Sequence, residues 1–321
     1  MRGLLPGLLL LAGASCAAAE PVAVSEAMQW LTKIATAARQ TNYSGTFVYQ
    51  HGRQSETSTI AHVASSSGEY ERLEVLDGPP REIIRNNDNV TCYFPQEKSV
   101  VIEKRTMSSF PSLLPEQLSS IEENYVVKKG DHDRVAGYEC QVVKLEPRDN
   151  LRYGHDFCVE LGSGLPLRAR MYSDQNELVE SFAFTQLRTG NNINKDLLRS
   201  RYANKSQGWH IDRSALQHTT ASAESGWVSS NQPAGFRKII EMKRSIPGSS
   251  AQAAHIVYSD GLAAVSVFIE PLPKAPPPSG AAHQGAVNIF VRPFTDHMLT
   301  VVGETPARTV RQIAESFNLS R

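Results

Sequence analysis

From Ser25 to Gln40 the apolar positions Met28, Leu31, Ile34, Ala35 and Ala38 fall three to four residues apart. That is the period of a helix with one buried face, and Ser25 stands where an N-cap belongs. The pattern then changes. Tyr43 to Gln50, Thr57 to Ala64, Tyr70 to Leu76, Arg81 to Arg85, Val90 to Phe94 and Ser99 to Lys104 are short strand-like runs. Turn residues close them: His51-Gly52, Ser65-Ser66-Ser67-Gly68, Asp77-Gly78-Pro79-Pro80, then Asn, Asp or Pro-Gln-Glu. Each strand hides only alternate side chains, so runs at this spacing predict one large antiparallel sheet, sandwich or barrel.

Between Met107 and Glu123 the rhythm breaks. Phe110, Leu113, Leu114, Leu118 and Ile121 are apolar, and Pro111 and Pro115 punctuate them. Pro115 fits the first turn of a short helix ending at Ile121. Strands resume at Tyr125 to Lys129, Glu139 to Leu145, Tyr153 to Leu161, Pro166 to Ser173 and Leu178 to Leu187. Residues 189–225 are rich in Asn, Ser, Thr and Gln without an apolar period, which predicts a linker. A second unit, 226–321, begins near Trp227. Ala254 to Tyr258 and Leu262 to Glu270 flank a Ser259-Asp260-Gly261 loop, and Ala286 to Arg292 and Met298 to Gly303 form another strand pair. Thr305-Pro306 opens a helix that carries Val310, Ile313, Ala314 and Phe317 on one face. This unit reads as a four-stranded sheet with a helix packed on it.

The N-terminus changes the compartment. Arg2, the apolar run Leu4 to Ala12 and the small residues Ala17-Ala18-Ala19 are the three parts of a secretory signal peptide, cut after Ala19. The apolar run is far shorter than the ~20 residues that span a bilayer. A lipidated Cys16 is the rival, with Gly13 rather than a larger apolar residue three positions before it. Export leaves a large domain at 20–188, the linker and the small domain. Thirty-three basic and 33 acidic side chains balance, so no basic face argues for nucleic acid.

Cys92, Cys140 and Cys158 remain after cleavage, and an oxidising compartment permits one bridge among them. Glu139 to Leu145 and Tyr153 to Leu161 read as a hairpin. A three-residue loop of Arg148, Asp149 and Asn150 sets Pro147 opposite Leu151 and, counting outward, Cys140 opposite Cys158. Such a pair has Cβ atoms ~4.5–5.5 Å apart, near disulfide reach. The alternative is that all three are small core residues.

Catalytic chemistry is sparse. Asp131-His132-Asp133 lie in succession on an extended turn and point alternately, so they do not converge on a metal. His155 and Asp156 read as sheet-surface residues. Gly162-Ser163-Gly164 is a turn, and no nucleophile elbow, Ser-x-x-Lys or P-loop is present. No catalytic residue, cofactor or metal is therefore expected. Phe110, Leu113, Leu114, Leu118 and Ile121 have two readings: a plug on one face of the sheet, or a mobile lid over an apolar groove for acyl chains.

Several segments together resemble the MucB/RseB family of envelope-stress sigma-factor regulators. They are Asn42 to Tyr49, Glu71-Arg72-Leu73, Leu76 to Glu82, Arg134 to Gly137, Pro147 to Asn150 and Arg152-Tyr153-Gly154. Gly164 to Leu167, Phe182 to Leu187, Trp227 with Pro233 to Phe236, Tyr258 to Leu262, Val265 to Pro271 and Val301 to Glu304 follow in order. No fragment is specific alone; their order along the mature chain carries the resemblance. It implies a mainly β (α+β) protein: a curved antiparallel half-barrel similar to periplasmic lipoprotein carriers, covered by helices, plus a small C-terminal α/β sheet domain. It also implies a periplasmic, non-enzymatic regulator. Such a protein binds the periplasmic segment of a single-pass anti-sigma factor and shields it from regulated proteolysis. Lipopolysaccharide or lipoprotein acyl chains would loosen the grip. The resemblance fixes no partner-binding residue and leaves a homo-oligomer open. The competing function is a lipid or lipoprotein carrier using the same half-barrel.

Overall fold

The computed structural model describes residues 25–104, 110–115, 118–213, 226–245 and 252–319. The signal peptide and Cys16 lie outside them. The first element is helix α1 (Glu26–Gln40), and Ser25 caps it by accepting a hydrogen bond from the Met28 amide at 3.2 Å. Its apolar stripe, Leu31, Ile34 and Ala38, is buried against the sheet that follows.

That sheet has twelve strands. The first six are β1 (Tyr43–His51), β2 (Gln54–Ser65), β3 (Gly68–Val75), β4 (Arg81–Asn86), β5 (Asn89–Phe94) and β6 (Ser99–Lys104). After the short helix α2 (Ser119–Asn124) come β7 (Tyr125–Val135), β8 (Tyr138–Pro147), β9 (Gly154–Glu160), β10 (Pro166–Tyr172) and β11 (Leu178–Thr189). Two meanders, β1 to β6 and β7 to β11, join where β11 pairs antiparallel with β1. Bulges at Thr46/Phe47, Lys129/His132 and Met171/Tyr172 bend the ladders, which is how a long sheet curves rather than lying flat. The result is an open curved sheet whose inner face holds the large core.

The described part of the linker is not free chain. A 3-10 turn at Lys195–Leu198 leads to β12 (His210–Asp212), which pairs parallel with β6 and extends the sheet edge. Buried charges fasten this strap. Arg72 bridges Glu82 and Glu74 at 2.6 Å each, Arg201 reaches Glu74 at 2.6 Å, and Ser200 donates to Glu82. Tyr202 sits between the rings of Tyr93 and Trp209, tilted against both. Polar composition hid the strap because its anchors are ion pairs, not apolar residues.

The small domain differs from the expected four strands. Its sheet has six: β14 (Arg237–Ser245), β15 (Gln252–Ser259), β16 (Ala264–Pro271), β17 (Gly280–Gln284), β18 (Val287–Phe294) and β19 (His297–Gly303), in the order β14-β15-β16-β19-β18-β17. The two strands missed from sequence are the edges. Helix α3 (Ala307–Ser316) covers one face with Val310, Ile313 and Ala314, and β13 (Trp227–Ser229) pairs with β20 (Phe317–Leu319) beside it.

Cys140 and Cys158 form a disulfide with a Cα–Cα distance of 5.3 Å, and Cys92 is free. The expected register is off by two residues. Cys140 pairs with Glu160 and Val142 with Cys158, so the two cysteines are diagonal neighbours rather than opposite. A two-residue offset keeps both side chains on one face, whereas a one-residue slip would have separated them. The extra residues lie in a longer hairpin loop, in which Arg152 turns inward. Non-reducing peptide mapping is expected to recover Cys140 joined to Cys158 with Cys92 alkylatable. Removing the bridge is expected to cost ~3 kcal/mol, the loop-closure value for a loop of about this length. A bridge to Cys92 would contradict the register.

Candidate functional site: a filled inner face and a two-domain junction

The inner face of the large sheet is lined by aromatic rings from neighbouring strands. Phe47 and Tyr49 of β1 stand beside Phe184 and Phe182 of β11, because residues two apart share a face. Phe110 lies flat on Phe182, with ring centroids 5.3 Å apart and planes 9° apart, and also touches Phe47 and Phe184. Leu114 and Ile121 are buried in the same core, with Leu113 and Leu118 packed against it. The five residues singled out in the sequence therefore meet on one surface, filling it. The stack continues from Phe182 to Tyr49 at 4.4 Å and from Tyr49 to His51 at 5.0 Å, toward the small domain.

The small domain inserts its Ser259–Leu262 turn into the large one. Asp260 is fully buried and meets Arg152, also fully buried, at 3.0 Å. Asp260 further accepts from the Tyr125 hydroxyl at 3.2 Å and from the Leu262 and Ala263 amides at 2.9 and 2.8 Å. Arg152 also chelates Asp149 with two 3.0 Å bonds and donates to the Ala234 carbonyl at 2.6 Å. Burial, and then the Asp260 charge, pushes the Tyr125 phenol well up, so it stays a neutral donor. Asn124 donates to the Asp260 carbonyl at 3.1 Å.

Two glycines make the close approach possible. A Cβ on Gly261 would lie 2.0 Å from the Ser120 hydroxyl, and one on Gly235 would lie 2.0 Å from the Asn124 side chain. Both glycines also have left-handed backbone, with φ +100° and +81°. Around this seat, Thr309 donates to the Leu151 carbonyl at 2.6 Å, Asn288 to the Tyr153 hydroxyl at 3.0 Å, and Arg308 pairs with Asp174 at 2.5 Å. A cleft of about 530 Å³ opens between α3 and the β10–β11 turn, lined by Tyr153, Asp174, Arg308 and Arg311 among others.

The other sequence candidates fall elsewhere. Asp133 pairs with Arg168 at 2.8 Å on the sheet surface, and no group of three or more His, Cys, Asp or Glu among the described residues could hold a metal. Asp156 is not the sheet-surface residue expected, while His155 is half-buried. Asp156 is buried and accepts from the Tyr172 hydroxyl at 2.9 Å. Burial pushes His155 down to about 4, so its imidazole is neutral beside Tyr125 and Phe157. Sequence reasoning missed the Arg152–Asp260 pair. Both residues sit in turns, where charged side chains ordinarily face water, and only their meeting in space distinguishes them.

The arrangement defines a class: a two-domain binding protein whose large curved sheet and small sheet domain are joined by a buried ionic seat. The chain belongs to the MucB/RseB family. Residues 26–202 match the MucB/RseB N-terminal domain and residues 221–318 the MucB/RseB C-terminal domain. It is 33% identical over 317 residues to the sigma factor AlgU regulatory protein MucB of Pseudomonas aeruginosa, covering 97% of this chain and 96% of that protein. It is 22% identical to the sigma-E factor regulatory protein RseB of Escherichia coli K12, over 89% of each. A crystal structure of MucB in complex with MucA(peri) superposes with a TM-score of 0.72 at 30% identity, covering 92% of this chain and all of that one. A Pseudomonas aeruginosa MucA/MucB complex gives 0.74 at 29% identity, with the same coverage.

Proposed function

We propose that this chain is a periplasmic negative regulator of an envelope-stress sigma factor. In this reading it binds the periplasmic segment of a membrane-anchored anti-sigma factor, protects it from regulated proteolysis, and releases it when a lipid-type ligand arrives. One observation carries the reading: the likeness to MucB, solved in complex with MucA(peri), extends over both domains. No helix among the described residues is long and apolar enough to cross a membrane, which fits an exported protein acting on a partner's segment. Lipopolysaccharide or lipoprotein acyl chains are the proposed ligands, and the aromatic inner face under Phe110 is the proposed place for them.

A purified system tests this. The mature chain is expected to slow cleavage of its anti-sigma partner by the initiating protease, and lipopolysaccharide is expected to restore the rate. Equal rates with and without the chain would refute the reading. The carrier alternative uses the same inner face but gives the small domain no task. Capture of lipoproteins alone from envelope extract would favour the carrier; capture of a single-pass anti-sigma factor favours regulation.

A further inference from the structure

Glu180 stands near the start of β11 on the inner face of the large sheet, in register with His51 of β1. Only 5% of it is exposed. The Tyr49 side chain acts on its carboxylate, and Oε2 has no hydrogen-bond partner among the described residues. The groups that act on it are burial, Glu304 and Tyr49, and none is a cation. The opposite wall belongs to the small domain. Gly285, in the β17–β18 turn, lies so close to His51 that a Cβ there would meet its Nδ1 at 3.0 Å. Glu304, between β19 and α3, brings a second carboxylate to bear on Glu180 and Tyr49. Glu304 itself is exposed, although its surroundings still raise its carboxyl.

The titratable groups facing Glu180 are thus Tyr49 and His51 from β1 and Glu304 from the small domain. Glu56 of β2 acts on Tyr49 from one strand further, and the β10 register partner, Met171, is uncharged. We propose that a proton holds this side of the domain junction: with Glu180 protonated the small domain seats on the large one, and with Glu180 ionised the contact loosens.

Glu180 is a buried carboxylate with one oxygen unpartnered and a second carboxylate acting on it, so protonating it relieves both the burial cost and the repulsion. Burial, then Glu304, pushes Glu180 up to about 7 from the ordinary 4.5, against the pull of the Tyr49 side chain. Opening the junction returns Glu180 to water and to that ordinary value. A carboxyl raised in the seated state favours seating at low pH. The advantage is full below about 4.5, is lost as pH rises from there to about 7, and is gone above. Between pH 5 and pH 8.5 the seating constant is expected to fall roughly 70-fold, each unit of separation between the two titration points being tenfold. The proposal concerns the free chain and does not depend on which partner it binds.

The test uses the full mature chain. Carboxyl-detected NMR is expected to place the Glu180 midpoint near 7 and to move it downward in Glu304→Gln. Hydrogen exchange is then compared between wild type and Glu180→Gln at the same pH, which cancels the intrinsic pH dependence of exchange. In segments 285–288 and 304–309 the neutral variant is expected to exchange roughly 300-fold more slowly at pH 8.5 and only about fourfold more slowly at pH 5, from the 4.5 and 7 midpoints. Strands β4 to β6, remote from the junction, are expected to match throughout. Titration of Glu180 near 4.5, equal exchange at pH 8.5, or uniformly faster exchange in Glu180→Gln would each overturn the proposal.

Discussion

Asp260→Ala is expected to cost about 3 kcal/mol of stability, the lower end of the range for removing one partner of a buried ion pair. Three losses add up in one place. The Arg152 guanidinium, fully buried, loses a carboxylate at 3.0 Å. The Leu262 and Ala263 amides lose the oxygen that closes their turn, and the Tyr125 hydroxyl loses its acceptor. The cost stays at the lower end because Asp149 still chelates Arg152 from the partly exposed side. Urea unfolding followed at both domains measures it, as a lower midpoint at unchanged slope for a pure stability effect. Arg152→Ala is expected to be comparably damaging, since it strands the Asp260 charge instead. Changing both residues together to Leu and Met removes both charges and is expected to cost less than the two single changes added. Two single variants as stable as wild type would mean that the seat is not what joins the domains.

The sheet was legible because it obeys a local rule. Most of strands β1 to β11 are short runs closed by Gly, Pro, Asn or Asp turns, and each signal lies within a dozen residues of chain. The missed elements break that rule for identifiable reasons. β17 reads Gly-Ala-Ala-His-Gln and is exposed along its whole length, so it has no buried face to write into its sequence. β14 carries a bulge at Lys238/Ile240 that interrupts the alternation, and Ile239 points to solvent. β12 is three residues held by a parallel neighbour some 110 positions earlier in the chain. The hairpin register is offset by two from the shortest loop its turn residues allow. Leu151 and Arg152 lengthen it so that Arg152 can reach Asp260, 108 residues away. A junction between domains is the feature a linear reading is least able to see. Its residues look like ordinary turn polar groups until the second domain arrives.

Leu114→Asp separates the two roles open to the segment over the inner face. Leu114 is 1% exposed and belongs to the same core as Phe47, Phe110 and Phe184. With the segment seated, the substitution buries a carboxylate among rings and aliphatic chains that offer it no donor. The expected loss is several kcal/mol, because an unpaired buried charge is among the costliest single changes. A displaceable lid behaves differently. It can swing outward, place the introduced carboxylate in water and spare the fold, at the expense of the groove it would otherwise cover. Thermal unfolding and binding of a fluorescent fatty acid, read on one sample, tell these apart. The seated arrangement predicts a large fall in the melting temperature of the large domain, which would make the segment permanent core and move any acyl site elsewhere. A folded domain with weakened acyl binding would instead show that the segment lifts. Lipid would then compete with Phe110 for the face of Phe182, and ligand-triggered release would have a physical starting point.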